Sequence, residues 1–587
     1  MKTPFIDRKT LSFLLYQVHD VESLCQLPYF QDHSKETFEM ILDSATQIAE
    51  KLMFPTLTAV DRQEPQLVNG EVTVHPIVKE YLQAMGESGL IGADFSYEHG
   101  GAQVPMTITS LAGFIGMAAN SGLMYTGLTA GAARLLTTFA TEELIQRFVP
   151  HMLSGKWQGT MCLTEPQAGS SLSDITTTAI PQPDGTYAIH GQKIFISAGD
   201  HDACENVVHL LIGRIQGAPL GTKGISLFVV PKFLEDGTRN DISNMGIYHK
   251  IGQKGVPAMH LGFEGSQAWL IGEPNKGLSY MFQMMNEARI GVGIAGAAIA
   301  SAAYHAALTY AKERPQSRRL NTKAAVDTPQ VPIIQHPDVR RMLLFQKAAV
   351  EGSLSLLVQT SLYFDRAHAA TSPEEKEKNT LLVELLTPIT KTYPCEAGVK
   401  VTNEALQCFG GYGFTEDFPA EQYYRDIRIT PIYEGTTGIQ SQDLLGRKVT
   451  LQQGKAVQLL AAEVQEVQTA ASAIPELARY ARQLAETGIL VENVTKHLLS
   501  IARTGDIERY LSDASLYMEL MSTYVIAWQW LKQAVAAQKL DDEAVKATKW
   551  HTLQYFFHYE VPKCQGWATR LTDDTVLTIV GELDIFA

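Results

Sequence analysis

The 587-residue sequence predicts an α+β protein in which helical regions flank a central β region. Apolar residues recur at the three- and four-residue spacing of amphipathic helices up to about residue 155, and again from about residue 278. Between these regions, short runs rich in β-branched residues alternate with Gly and Asp turns. Strands and helices are therefore segregated along the chain, as is typical of the α+β class.

The N-terminal part is predicted to be an arm, residues 1–34, followed by a helical domain, residues 35–156. Ser34 precedes a helical repeat of apolar residues, and its hydroxyl is a suitable N-cap. Further helices are expected over 75–90 and 105–152. On these patterns the region up to about residue 155 is predicted to be all-helical.

The central part, residues 157–276, is predicted to be an antiparallel β domain. Its β-rich runs include 194–197, 207–212 and 225–230. Turns such as Asp184-Gly185 separate the runs. We expect them to pair into one small sheet. His201, Asp202 and Lys223, in the segment 199–223, are expected to be solvated loop residues.

The C-terminal half is predicted to hold a helical domain, residues 277–449, and a helical extension, residues 450–587. A Gly/Ala-rich stretch over 291–303 permits close helix packing. Arg289 precedes it and Tyr304, His305 and Lys312 follow it, which argues against a membrane span. The extension carries apolar stripes but no acid/base, metal or phosphate motif. We expect it to be a scaffold that packs on the body of its own chain or across a dimer contact. Its deletion should lower thermal stability.

Composition and charge exclude several classes of protein. The net charge of −15 opposes a nucleic-acid partner, because phosphate binding needs a basic surface. The six cysteines are widely spaced and form no CxxC pair, so neither a zinc site nor a disulfide framework is indicated. The N-terminus is a poor signal peptide. We expect a cytoplasmic protein with no metal site and no membrane span.

The stretch from Gln407 to Gln440 carries the densest chemical signal. It opens with the glycine turn Gly410-Gly411-Tyr412-Gly413, where backbone can approach a ligand closely. It closes on Glu434, which lies between Tyr433 and Gly435. A carboxylate with apolar and aromatic neighbours can have a raised pKa and act as a base. The alternative is a solvated loop glutamate, which describes most glutamates in proteins.

Taken with four other segments, this stretch resembles the active-site sequence of the acyl-CoA dehydrogenase family. The family carries a Q-x-x-G-G-x-G run and an I-Y-E-G-T segment, matched here by QCFGGYG and IYEGT. The other four segments are MCLTEPQAGS from Met161, KIFISAG from Lys193, NEAR from Asn286 and KERPQS from Lys312. They follow the family order over roughly residues 35–448. The arm and the extension resemble those of a longer bacterial branch.

The resemblance implies a helical domain, a β domain and a four-helix domain that together bind FAD. It also implies α,β-dehydrogenation of acyl-CoA to trans-2-enoyl-CoA, as in fatty-acid β-oxidation. Glu434 would take the α-proton and flavin N5 the β-hydride. Electrons would pass to an electron-transfer flavoprotein. Because the family's counterpart of Arg314 reaches the FAD of a neighbouring subunit, a homodimer or larger homo-oligomer is implied.

The resemblance also assigns binding roles to individual residues. Phe195 has a second interpretation, since an Ile-Phe-Ile run is what a buried strand looks like. The residues expected near the flavin ring or the FAD phosphates are Met161, Leu163, Thr164, Ser170, Phe195 and Ser197. Those expected at the ADP part are Arg314, Gln407, Gly411 and Thr436. Those expected at the acyl-CoA substrate are Ser170, Asn286, Arg289 and Gly435.

Two alternative functions remain open from the sequence. An acyl-CoA oxidase would use the same base and return electrons to oxygen. A nucleic-acid-binding relative on the same fold would need no base, and both the acidic charge and the presence of Glu434 oppose it.

Overall fold

The computed structural model describes residues 3–320 and 328–579. They fall into two compact units. The β-containing unit is Pro28–Ala288. The helical unit combines the described parts of Met1–Leu27 and Arg289–Ala587. The predicted α+β class, with helical regions before and after a central β region, is confirmed. The limits of the five predicted domains stay a prediction.

The β-containing unit starts with helices and continues into the sheet. Ser34 caps the first of these helices, and its side chain accepts a hydrogen bond from the Thr37 backbone N–H, as predicted. The helices of this unit are α2 Lys35–Ile48, α3 Leu57–Arg62, α4 Ile77–Glu87, α5 Met106–Ala119, α6 Tyr125–Phe139 and α7 Glu142–Leu153. The helical region predicted over 105–152 consists of the three helices α5, α6 and α7.

One part of the helical prediction is wrong. A two-stranded hairpin, β1 Gln66–Val68 and β2 Glu71–Thr73, interrupts the region that was expected to be all-helical. Its turn is Asn69-Gly70, with φ of 52° and 81°. Asn-Gly is the residue pair that a two-residue hairpin turn favours, because both positions need positive φ. The signal was therefore present in the sequence, in a segment too short to show strand alternation.

A seven-stranded sheet forms the second part of this unit. The strand path β3-β6-β4-β5-β9-β7 returns on itself through a β6–β7 pairing, and β8 pairs with β9. Most pairs are antiparallel as predicted, but β3–β6 and β4–β6 are parallel, which the prediction missed. The strands are β3 Trp157–Cys162, β4 Thr178–Pro181, β5 Tyr187–Ser197, β6 Asn206–Ile215, β7 Ile225–Pro231, β8 Ile242–Ile247 and β9 Ala258–Ile271.

Two apolar cores stabilise the sheet. Side chains of α6 and α7, among them Leu136 and Phe148, pack against one set of sheet residues that includes Leu210. A second core, with Phe228 and Met259, fills the opposite face. Strand β6 is buried along almost its whole length, which is consistent with the apolar residues that make up most of its sequence.

The helical unit takes in α1 near the N-terminus and the helices after the sheet, together with the C-terminal extension. Helix α8 begins before residue 289, the first residue of this part of the unit. The helices are α1 Arg8–Ser12, α8 Gly277–Glu313, α9 Pro337–His368, α10 Pro373–Phe409, α11 Ala420–Asp426, α12 Thr437–Asp443, α13 Lys455–Ser472, α14 Ala478–Arg503, α15 Ile507–Leu511, α16 Ala514–Ala537, α17 Glu543–Tyr555 and α18 Lys563–Leu571.

The extension packs on the helices that precede it, as predicted. Leu385 of α10 shares one core with Val464 of α13 and Trp530 of α16. The Trp530 indole donates a hydrogen bond to the Ala348 carbonyl in α9, at 3.0 Å. A Cβ at Gly352 would lie 2.8 Å from Ile526, so α9 and α16 are in close contact there. The apolar stripes of the extension are therefore buried inside its own chain.

Helix α8 is the one helix of the described residues that is long and apolar enough to cross a membrane by length and composition. In its most apolar window, 83% of the residues are buried inside the protein. The core helix of a soluble protein passes the same test, so the finding does not indicate a membrane protein by itself.

Candidate active site

Glu434 lies in a turn whose backbone is held in an unusual conformation. Its φ is +53°, a value that side chains other than Gly rarely adopt, and Gly435 follows at +89°. Thr436 then caps α12, accepting the backbone N–H of Ile439 at 3.2 Å. Non-glycine residues at positive φ cluster at functional sites, where the surrounding structure maintains the strain.

Two side chains hold this turn in place. The Gln440 amide donates to the Glu434 carbonyl at 3.2 Å. The Thr437 hydroxyl donates to the Glu396 carboxylate in α10. A Cβ at Gly435 would lie 2.5 Å from the Gln440 amide nitrogen, so only Gly fits at that position. The turn is therefore fixed at the Glu434 backbone and at Thr437, the first residue of α12.

The electrostatic surroundings of Glu434 suit a proton acceptor. Its side chain is exposed to solvent in this chain, yet the protein around it removes enough water to raise its pKa above the usual value. The positive charges of Arg289 and Lys391 oppose that rise. Arg289 is buried and donates to Asp443 in α12 at 3.1 Å. The predicted residues Glu434, Gly435, Thr436 and Arg289 thus lie in one unit, with Glu434 in the field of Arg289.

The segment that resembles the flavin-binding motif follows strand β3. Met161 is in β3, and Leu163 and Thr164 follow it half-buried. The Ile194 backbone N–H donates to the Thr164 carbonyl at 2.9 Å, which joins this segment to β5. Ser170 is exposed at the end of the loop. Met161 therefore lies in the sheet, and the other three predicted residues lie on a loop whose first half is fixed to the sheet.

A buried ion pair locks that loop. The Lys193 ammonium donates to the Glu165 carboxylate at 2.8 Å and to the Leu163 carbonyl at 3.0 Å, and both side chains are fully buried. Burial would raise the pKa of Glu165. The Lys193 charge, with hydrogen bonds from Thr176 and Thr177, outweighs burial and lowers that pKa to about 2. The pair thus holds the Leu163 backbone in one position.

Strand β5 bulges where it presents its aromatic side chain. The register with β9 shifts between Lys193 and Ile196, and Phe195 has a φ of +57°. The bulge turns Phe195 outward, so that 58% of it is exposed, with its ring 4.5 Å from that of Tyr248. Ser197, two residues on, is half-buried. The alternative interpretation of Phe195 as a core residue is therefore wrong, because strand alternation does not continue through a bulge.

Of the four residues predicted for the ADP part, Thr436 lies in the Glu434 turn, and the other three are exposed elsewhere in the helical unit. Arg314 is exposed just after α8 ends, and its guanidinium lies 5.2 Å from the centre of the Tyr412 ring. Gln407, near the end of α10, and Gly411, in the turn that follows, are also exposed. Arg314 and the glycine turn are thus neighbours. Asn286 is half-buried in α8, in the β-containing unit.

Sequence reasoning missed two features of the sites. Lys391 in α10 is fully buried and contributes to the field at Glu434, but a lysine within a helix carries no sign of burial in the sequence alone. His201 was expected to be a solvated loop residue. That expectation is wrong, since it is 2% exposed and its ring is 5.2 Å from Tyr125. Asp202 and Lys223 from the same segment are exposed as expected.

Models of protein families match almost the whole chain. They are the N-terminal, middle and C-terminal domains of acyl-CoA dehydrogenase over residues 35–156, 160–266 and 275–449. A fourth model, "Acetyl-CoA dehydrogenase C-terminal like", matches residues 460–579. The 3-methylmercaptopropionyl-CoA dehydrogenase of Ruegeria pomeroyi is 37% identical, over 95% of this chain and 97% of that protein. The chain belongs to the acyl-CoA dehydrogenase family.

Two further relatives support this assignment. A butyryl-CoA dehydrogenase of Syntrophomonas wolfei is 35% identical, over 78% of this chain and 77% of that protein. The crystal structure of an acyl-CoA dehydrogenase from Bacillus anthracis, complexed with FAD, has a TM-score of 0.75. It is 21% identical and covers 95% of this chain and 91% of its own, so it shows the shared fold. The chain is thus an FAD-dependent acyl-CoA dehydrogenase and a flavoprotein oxidoreductase.

Proposed function

We propose that this acyl-CoA dehydrogenase forms trans-2-enoyl-CoA, with Glu434 as the base that takes the α-proton. The observation that carries the proposal is the Glu434 turn, where a carboxylate at positive φ has a raised pKa. A base works best with a pKa near the operating pH, and an ordinary exposed Glu lies well below it. The turn fixes the backbone that carries the carboxylate.

The substrate would be held by residues on either side of the base in sequence. We assign Arg289, Asn286, Gly435 and Ser170 to the acyl-CoA. Asp443 fixes the Arg289 guanidinium through its hydrogen bond, so the side chain is preorganised. The backbone N–H of Glu434 is placed by the same turn and is a donor for the thioester carbonyl, where negative charge develops as the α-proton leaves.

The exposed Phe195 ring, the half-buried Met161 and the locked loop give a surface that suits a flat aromatic cofactor such as a flavin. We assign Met161, Leu163, Thr164, Phe195 and Ser197 to the isoalloxazine end of FAD, and Ser170 to the FAD phosphates or the bound thioester. FAD bound there supplies the two-electron acceptor for the reaction. We assign Arg314, Gln407, Gly411 and Thr436 to the ADP end, reached from a neighbouring subunit, which requires at least a homodimer.

The two curated relatives act, by their names, on 3-methylmercaptopropionyl-CoA and butyryl-CoA, both with short acyl chains. We therefore propose a short, unbranched acyl-CoA as the substrate. A role in β-oxidation, a cytoplasmic location and an electron-transfer flavoprotein as acceptor complete the proposal. Their support is the family's chemistry and the acidic, cysteine-poor composition.

The test is an anaerobic titration of the purified, FAD-loaded protein with acyl-CoAs of increasing chain length. Bleaching of the flavin absorbance should be largest with short, unbranched chains, and released cofactor should be FAD. Adding an electron-transfer flavoprotein should restore the absorbance faster than adding oxygen. Fast reoxidation by oxygen would indicate an oxidase instead, and no bleaching with any acyl-CoA would refute the proposed reaction.

A further inference from the structure

Lys391 is a lysine in the interior of the helical unit. Its side chain is fully buried, and its ammonium has no hydrogen-bond partner among the described residues. Burying an unpaired ammonium is costly, so such a group is retained only where opposite charges or a function offset the cost. Burial lowers its pKa, and the carboxylates of Glu396 and Glu434 oppose that change.

The packing of α8 on α10 sets the position of Lys391. Pro394 has no N–H, so the Thr390 carbonyl lacks its usual donor within α10. Gly293 of α8 lies against that carbonyl, where a Cβ would be only 2.1 Å away. Arg289 is about one helical turn before Gly293, and Lys391 is next to Thr390. This contact brings together the backbone segments that carry Arg289 and Lys391, and the Arg289 charge acts on Lys391.

The Glu434 turn is attached to the same part of α10. Glu396, five residues after Lys391, accepts the hydroxyl of Thr437, which follows Glu434 by three residues. Gln440 holds the Glu434 carbonyl. Glu396 is thus occupied by the turn, and Asp443 is occupied by Arg289. Among the described residues, Glu434 is the carboxylate of this group that forms neither an ion pair nor a side-chain hydrogen bond.

The charged and titratable groups around Lys391 come from three elements. They are Cys395 and Glu396 on α10, Arg289 on α8, and Glu434 in the turn before α12. Burial raises the pKa of the Cys395 thiol to about 11, so that thiol is neutral near pH 7. Lys391 and Arg289 are the two cations that act on Glu434, and Arg289 is shared with Asp443.

We propose that Lys391 is a positioning residue for the reaction, whose buried ammonium keeps Glu434 in the carboxylate form that accepts the α-proton. This inference rests on the proposed role of Glu434 as the base. Removing water from around a carboxylate favours its protonated form, and a nearby ammonium restores the charged form. The Lys391 ammonium would favour the charged form of Glu434 from inside the protein, where solvent ions screen its charge little.

The test is the pH profile of flavin reduction by acyl-CoA in Lys391→Met, Lys391→Gln and Lys391→Arg. Both neutral variants should move the acid limb of the profile upward by about 1–3 pH units, the range an adjacent opposite charge produces. Lys391→Arg should restore most of the parent profile. The matched control is Lys400→Met on the same helix, because Lys400 is 57% exposed and pairs with Glu519 at 3.5 Å. Its profile should not move.

Loss of packing alone would lower the rate at every pH without moving the acid limb, so that outcome would overturn the inference. It would also be overturned if Lys391→Arg behaved like the neutral variants. FAD content, measured for each variant, identifies any that fold poorly. The proposed base is tested separately with Glu434→Gln: if that variant is inactive and the Lys391 profiles do not shift, only the inference about Lys391 fails.

Discussion

Glu434 combines a strained backbone with a carboxylate whose pKa is raised by the protein around it. Gln has the same shape but cannot accept a proton. Glu434→Gln should therefore keep FAD and acyl-CoA binding and lose flavin reduction by at least ~10²–10⁴-fold, as expected for a general base. Stopped-flow measurement of flavin bleaching gives this rate. The control is Glu374→Gln, at the exposed start of α10, which should react like the parent.

Glu434 could be predicted from the sequence because it lies within a motif. Lys391 could not be predicted because no motif surrounds it. Lys391 is buried next to the contact between Gly293 and Thr390, which are more than 90 positions apart in the chain. No local pattern encodes a contact at that separation. The same reason explains His201. Its position in a loop predicted exposure to solvent, whereas the fold buries it against Tyr125.

At the scale of elements, the flavin-type loop depends on one ion pair. Lys193→Met would leave the Glu165 carboxylate buried without its cation, which should cost about 3–5 kcal/mol of stability. FAD retention should fall with it, since Leu163 loses the donor to its carbonyl. Chemical denaturation and the flavin-to-protein absorbance ratio measure the two effects. Unchanged stability would mean that Glu165 finds another partner.

The same pair predicts how stability depends on pH. The pKa of Glu165 is about 2 in the folded protein, below the roughly 4.3 of an unfolded glutamate. Its contribution is therefore fully present above about pH 5 and is lost as the pH falls toward 2. In Lys193→Met this part of the acid sensitivity should shrink, because the cation that lowers the pKa is gone.

The turn before α12 gives another prediction at this scale. Gly435→Ala would introduce a Cβ at a φ of +89° and 2.5 Å from Gln440. The strain should be on the order of 1–3 kcal/mol. We expect it to displace Glu434 and lower the flavin-reduction rate more than the melting temperature. The exposed Gly113, which has ordinary φ and open space around it, is the control for Gly→Ala. Equal loss of rate in both variants would contradict the prediction.

Elements differed in how well the sequence predicted them. The start of helix α2 was predicted correctly, because Ser34 and the apolar repeat that follows it are both local signals. The parallel β3–β6 and β4–β6 pairs were missed, since apolar alternation identifies a strand but not its neighbour. Phe195 was ambiguous because a bulge depends on the opposite strand, β9.

At the scale of the molecule, the extension is part of the core of the helical unit. Trp530 is fully buried in α16 and bonds to the α9 backbone. Trp530→Ala should destabilise the protein by about 3–5 kcal/mol through the cavity it leaves. Thermal unfolding measures the loss, and Ile489→Ala, at a side chain that is 59% exposed, should change it little. A heat-stable Trp530→Ala protein would show that the extension is a separate module.

Helix α10 holds the residues along it at fixed distances and angles from one another. Lys391, Glu396 and Gln407 lie on one rod, and Lys391 and Gln407 are about 24 Å apart at 1.5 Å per residue. Adding or removing one residue between them would turn one end against the other by about 100°. Substitutions along this helix therefore leave its geometry unchanged, whereas a change in the number of residues between Lys391 and Gln407 does not. Enzymes descended from the same ancestor should tolerate substitutions here and reject insertions, even at positions that face solvent.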